Sequence, residues 1–215
     1  MTVSLRRVWA ALTRRLSFDE ESGPERRWVV VDVETTGLDP SRDSLLAIGA
    51  VGLGPAGIDL ADSFEVIVRQ PFTSSRDNIV VHRIGAQAQA GGEDAAIARA
   101  RFLEFVGDAV IVGFHVSFDR AFLARELGRL GASVPSRWLD LAELAPVLLP
   151  GHRTDALDDW LARVGVPVGS RHRAASDALA TAMLFQYLLA KVRPAEHCFR
   201  GLSRLAKQAR WLGAG

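Results

Sequence analysis

The chain has 215 residues, 48% of them hydrophobic and 24% charged, which suffices to bury a full core in one domain or in one domain with appended segments. Its formal net charge of +1 provides no global attraction to polyanions, so a nucleic-acid partner must be held by local basic patches or by bound metal. Cys198 is the only cysteine, which excludes an intrachain disulfide and a multi-cysteine zinc site and suits a reducing cytoplasm.

No apolar stretch approaches the roughly 18 residues that a membrane span requires, so no integral membrane segment is expected. Residues 1–16 have a helical pattern, with Leu5, Val8, Trp9, Leu12 and Leu16 on one side and Arg6, Arg7, Arg14 and Arg15 interspersed. Arginines break its apolar run, so it is not a signal peptide. Such a helix either lies on a membrane or nucleic-acid surface or packs against its own domain or a neighbour. An acidic linker then leads to the run from Trp28 to Glu34, whose β-branched residues mark a strand buried on both faces.

Gly37 and Pro40 supply a turn, and residues 45–53 read as a second strand. Gly54, Pro55 and Gly57 suggest a hairpin to a third strand over residues 63–69. Ala96, Ile97, Ala100, Phe102 and Phe105 recur at helical spacing, residues 109–114 read as a buried strand, and residues 118–130 form an amphipathic helix. A short strand at residues 138–141 precedes helical segments at 141–149 and 155–164, and the last long helix is expected over residues 174–192, closed by Pro194. This order is that of a mixed α/β domain. We divide the chain into an amphipathic helix and linker (1–26), a catalytic domain (27–192) and a basic helical tail (193–215). Arg200, Arg204, Lys207 and Arg210 in that tail suit either a grip on a nucleic-acid backbone or the solvated face of a docking helix.

Three places carry candidate chemistry. Asp32 and Glu34 lie two apart at a strand end, so both leave the same face of the sheet. Their mutual repulsion is relieved by protonation of one or by a cation, and oxygen ligands favour a hard divalent ion such as Mg²⁺ or Mn²⁺. Alternatively, one caps the following turn while the other is solvated. Asp119 opens a helix directly after a strand, where α/β proteins commonly place ligands and where an aspartate also stabilises a helix dipole. His172 falls in a loop and Asp177 in the first turns of the last long helix, among small residues that allow close approach of backbone or ligand.

In order, Val31-Asp32-Val33-Glu34-Thr35-Thr36-Gly37-Leu38, Phe118-Asp119-Arg120-Ala121-Phe122-Leu123 and His172 followed five residues later by Asp177 resemble the three motifs of the DEDDh exonucleases, the family of DNA polymerase proofreading subunits. The likeness spans residues 28–191. Val81-His82-Arg83-Ile84-Gly85 also resembles that family's His-Gly-Ile stretch, with Arg83 replacing a glycine, and Asp140 stands where a family aspartate precedes the next helix. Phe114-His115 occupy the places of the family's His-Asn.

The resemblance implies a ribonuclease H-like fold: a five-stranded mixed sheet, its first three strands antiparallel, flanked by helices. It also implies stepwise hydrolysis of phosphodiesters at single-stranded DNA or RNA 3′ ends, using two divalent cations, Mg²⁺ or Mn²⁺. Asp32, Glu34, Asp119 and Asp177 are the implied metal ligands and His172 the general base. Thr35, Thr36, Gly37, Leu38, His82, Phe114, His115 and Phe118 are the implied substrate contacts, with Leu38 wedged against a base. The terminal helices remain candidates for a protein partner or self-association.

Two other classes compete. A non-catalytic binding module on the same fold is disfavoured by retention of every metal-site residue. A haloacid-dehalogenase-type phosphatase needs an aspartate where Glu34 stands and a helper lysine, yet Lys191 and Lys207, the only lysines, follow all three motifs.

Overall fold

The structure, a computed structural model, describes residues 24–129, 131, 135–151, 154–167 and 173–212. The helix expected over residues 1–16 and His172, expected in a loop, lie outside the described residues. Five strands appear: β1 (Trp28–Thr35), β2 (Leu45–Gly54), β3 (Gly57–Ile67), β4 (Val110–Gly113) and β5 (Trp138–Asp140). They form one sheet in the order β3-β2-β1-β4-β5. The pairs β1·β2 and β2·β3 are antiparallel, whereas β1·β4 and β4·β5 are parallel. The mixed five-stranded sheet matches the expected fold class.

Eight α-helices are described: α1 (Arg76–His82), α2 (Ala86–Gly91), α3 (Ala95–Val106), α4 (Ser117–Gly128), α5 (Leu141–Leu148), α6 (Leu157–Val164), α7 (Ala174–Leu189) and α8 (Phe199–Leu212). Successive side chains of a strand point to opposite faces, and β1 uses this to feed two cores. Trp28 and Val30 join the core built with Leu184, Phe185 and Leu188 of α7 and Leu144 of α5. Val29, Val31 and Val33 join the other, with Phe102 of α3 and Phe122 and Leu123 of α4. Trp28 meets Phe185 edge-on, ring centroids 5.2 Å apart. Such a pair adds about 0.5–1.5 kcal/mol beyond the area it buries. The same parity assigns Asp32 and Glu34 to the α7 face.

The third strand begins earlier than expected, at Gly57 rather than Ser63, because the hairpin pairs Gly54 directly with Gly57. Its ladder is irregular: Gly52 faces Asp59 while Val51 faces Ser63. The mostly exposed residues 58–62 break the alternation that sequence reading relies on, and Asp62 is engaged by Arg27 at 2.7 Å. Helices α1 and α2 were not anticipated. Both are short and weakly patterned, although Ser75 caps α1 by accepting from the Asn78 N–H at 3.3 Å. The basic tail helix α8 docks on the α5–α7 side through buried Leu202 and Ala206, leaving Arg200, Arg204 and Lys207 exposed. Among the described residues, no helix is long and apolar enough to cross a membrane.

Candidate active site

The carboxylates gather where β1 outruns its parallel neighbour. The β1·β4 register ends at Val30 and Val112, so the β1 edge is open beyond it. There the Val33 N–H donates to Asp119 Oδ1 at 3.1 Å, bringing the first turn of α4 against the strand. Asp119 therefore arrives from the α3–α4 layer. Asp177 arrives from the opposite one, on the first turn of α7.

That approach depends on Gly49 of β2, which pairs with Asp32. A Cβ at Gly49 would lie 2.1 Å from the Ala174 carbonyl carbon and 2.2 Å from the Ala175 nitrogen. Only a residue without a side chain lets the start of α7 lie this close to the sheet. The buried Ala174, Ala178 and Ala182 keep the rest of the helix tight against it. The small residues around Asp177 thus serve close backbone approach, as the sequence suggested.

Asp32, Glu34 and Asp177 each offer a carboxylate oxygen within 4.8 Å of the other two. Two oxygens on one Mg²⁺, bound at about 2.1 Å, stand at most about 4.2 Å apart, so these three fit a divalent-cation site with little movement. Asp119 stands beside this triad and is only 5% exposed. Burial, above all, pushes its carboxyl up to about 8; the Val33 N–H and its own backbone oppose this, while the charges of Asp140 and Glu34 add to it. A cation is the natural counterweight to so much negative charge in a low-dielectric place.

Asp140 is half-buried and its pKa is raised, first by burial. Its Oδ1 accepts from the Ala142 N–H at 2.9 Å, capping α5, and from the His115 N–H at 3.0 Å. It thereby joins β5 to the turn before α4. His115 adopts φ 55°, a left-handed conformation that a short amide side chain such as asparagine tolerates well. Its Nε2–H donates to the Asp155 carbonyl at 2.8 Å. Arg83, which stands at a family glycine position, also has φ 55° and closes α1.

The remaining expected contacts divide between surface and interior. Thr35 Oγ1 donates to the Gly37 carbonyl at 2.7 Å, and Thr36 Oγ1 accepts from the Ser44 N–H at 2.9 Å. Gly37 has no room for a Cβ, which would fall 2.4 Å from Asp43 Oδ2. Leu38 is 85% exposed at the tip of this loop. Phe114 and Phe118 are half-buried on opposite cores, Phe118 against Phe122 with centroids 4.9 Å apart.

His82 differs from its expected role as a wall of the substrate pocket. It is 1% exposed. Its Nδ1 accepts from the Ile84 N–H at 3.0 Å, so in the neutral ring Nε2 carries the proton and donates to Ser74 Oγ, also at 3.0 Å. Burial lowers its pKa and keeps it neutral. Gln89 completes this internal network through Ser74 and the Ile84 carbonyl. Sequence reading also passed over Asp43, Asn78 and Arg125, which shape the loop of Leu38. Asn78 Nδ2 donates to the Thr36 carbonyl, and no local pattern reveals that contact.

A five-stranded mixed sheet in this order, with acidic side chains converging at the carboxyl end of its central strand, defines the ribonuclease H-like class. The model of the RNase_T family, described as Exonuclease, matches residues 29–185. The chain belongs to this exonuclease family and is of its DEDDh type. Among its relatives are the PolC-type DNA polymerases III of Caldanaerobacter subterraneus subsp. tengcongensis, 31% identical over 178 residues, and of Clostridium perfringens, 29% identical over 177. These alignments cover 81% and 82% of this chain but 12% of each polymerase. The fold is shared with E. coli Exonuclease I in complex with a dT13 oligonucleotide, at TM-score 0.68 and 17% identity over 78% of this chain and 42% of that one. It is also shared with Exonuclease X in complex with 5′ overhanging duplex DNA, at TM-score 0.66 and 21% identity over 83% of this chain and 99% of that one.

Proposed function

We propose that this protein removes nucleotides stepwise from single-stranded 3′ ends, with two divalent cations, Mg²⁺ or Mn²⁺, and His172 as general base. The observation that carries the reading is the convergence of Asp32, Glu34 and Asp177 within 4.8 Å, with Asp119 hydrogen-bonded to the intervening Val33. Asp32, Glu34 and Asp177 would hold the cations on the α7 side, and Asp119 would support them from α4. When bound, such ions lower the pKa of water and neutralise charge on the attacking and leaving oxygens.

The protein's own part is binding, orientation and proton transfer. The loop of Thr36, Gly37 and Leu38 seats the terminal nucleotide, Leu38 against its base and Phe114 as a further wall, with Thr35, His115 and Phe118 holding the surroundings in place. Unstacked ends expose base faces to such apolar side chains, which favours single strands. His172, which precedes α7 in the chain, takes the proton of the attacking water, for which an imidazole titrating near neutrality is suited. Either DNA or RNA satisfies this chemistry, and the names of the relatives and structural neighbours put DNA first.

The test is a 5′-labelled single-stranded oligonucleotide incubated with Mn²⁺ or Mg²⁺. Stepwise shortening from the 3′ end that disappears in Asp32→Ala is expected. No shortening, or shortening that survives Asp32→Ala, removes the proposal.

A further inference from the structure

The loop joining β1 to β2 presents Leu38 to solvent, and its shape is imposed from α4. Asp43 forms the inner support: Oδ2 accepts from the Asp39 N–H at 2.8 Å, Oδ1 accepts from Thr36 Oγ1 at 3.3 Å, and the carboxylate fills the space beside Gly37. The loop rests on Arg125. One arm of its guanidinium donates to the Pro40 carbonyl, and the other donates to the Asp43 carbonyl at 2.5 Å.

The fork itself is fixed. Arg125 Nε and Nη2 donate to Glu126 Oε1 at 3.2 and 3.0 Å, and its guanidinium lies over the Phe122 ring, 5.7 Å from the centroid. Glu126 is 4% exposed and is held in turn by Arg99 of α3 at 2.7 Å. A chain of contacts thus runs from the buried Arg99–Glu126 pair through Arg125 to the two backbone carbonyls that flank the loop's turn. Two carbonyls reached by separate arms of one guanidinium call for a rigid fork, which an ammonium does not supply.

We propose that Arg125 is a positioning residue: it holds residues 36–43 in the one shape that presents Leu38 to the base of a 3′-terminal nucleotide. This rests on the exonuclease reading above. Apolar side chains held exposed, such as Leu38 at 85%, are preorganised for a ligand's apolar face, and preorganisation lowers the ordering cost of binding. Arg125 acts on the seat of the base, so its loss affects substrates through that base and leaves cation binding intact.

The experiment compares wild type, Arg125→Ala and Arg125→Lys on labelled single-stranded oligonucleotides. These end either in an ordinary nucleotide or in a tetrahydrofuran abasic residue. On the ordinary end Arg125→Ala raises KM about tenfold, as expected for losing one apolar contact, with kcat within about twofold of wild type. On the abasic end the two proteins have the same KM, a pattern that general destabilisation does not produce. Calorimetric Mn²⁺ affinity is unchanged. Arg125→Lys keeps a cation beside Glu126 and so protects the fold; it shows the same base-dependent rise and carries the test if the alanine variant does not fold. Active wild type with KM unchanged in Arg125→Lys, an equal rise on abasic ends, or lost Mn²⁺ affinity overturns the proposal. Wild type that shortens no oligonucleotide overturns the exonuclease reading, and this inference with it.

Discussion

Asp32 pairs across the β1·β2 ladder with Gly49, the residue whose missing side chain admits the start of α7. The distance between two of the proposed metal-binding carboxylates, Asp32 and Asp177, is thereby set by a glycine that is itself none of the proposed ligands.

Replacing that glycine tests the arrangement. In Gly49→Ala the new methyl would meet the Ala174–Ala175 backbone at 2.1 to 2.4 Å, so α7 must move outward. Overpacking of this kind costs about 1–3 kcal/mol, and here it also draws Asp177 away from Asp32. Denaturant melts should show that loss, and Mn²⁺ titration should show weakened binding. Full stability with full Mn²⁺ affinity would mean that the helix has slack.

The Asp119 carboxyl gives the cation-free protein a distinct pH dependence. Its folded value of about 8 lies above the ordinary aspartate value, so between the two the native state binds the extra proton. Its contribution is therefore fully present at acid pH and is lost as pH rises toward 8. In EDTA, the wild-type melting temperature should fall from pH 5 to pH 8 relative to Asp119→Asn. Added Mn²⁺ should raise it more at pH 8 than at pH 6, because binding must displace that proton. Parallel curves for the two proteins in EDTA would show that Asp119 is ionised throughout.

His172 supplies the next expectation. General-base assistance is worth about 10²–10⁴-fold, so His172→Ala should lower kcat by that order while leaving Mn²⁺ affinity near wild type. The acidic limb of the pH–rate profile should vanish with it. Were the limb to persist in the variant, another group would be the base.

His82 should behave as a structural histidine. His82→Ala leaves the Ile84 N–H without its acceptor in a buried place, which costs about 1–3 kcal/mol. Stability should drop by that amount with kcat and KM near wild type at permissive temperature. A large KM effect in a stably folded variant would return His82 to the substrate pocket.

Much of this could be read along the chain because the signals are local. The β-branched run of β1, the spacing of Asp32 and Glu34, the strand-to-helix junction at Asp119 and the helix start at Asp177 depend on nearest neighbours and on the period of each element. The parity of β1 even assigns its two carboxylates to one face. Where that period is broken, as at residues 58–62 of β3, or where helices are as short as α1 and α2, the reading misplaced a start or missed the element.

The sequence by itself determined the family, the candidate residues for the chemistry and the order in which strands and helices bring them, since residue type and local periodicity are properties of the chain. Only the tertiary structure decided which groups meet. His82 faces inward to Ser74 and Ile84, Arg125 reaches Pro40 and Asp43 some eighty residues away, and Gly49 yields its space to Ala174. Such contacts join positions distant in the chain, and they arise only when two helical layers close on one sheet and each side chain takes the partner that packing leaves within reach.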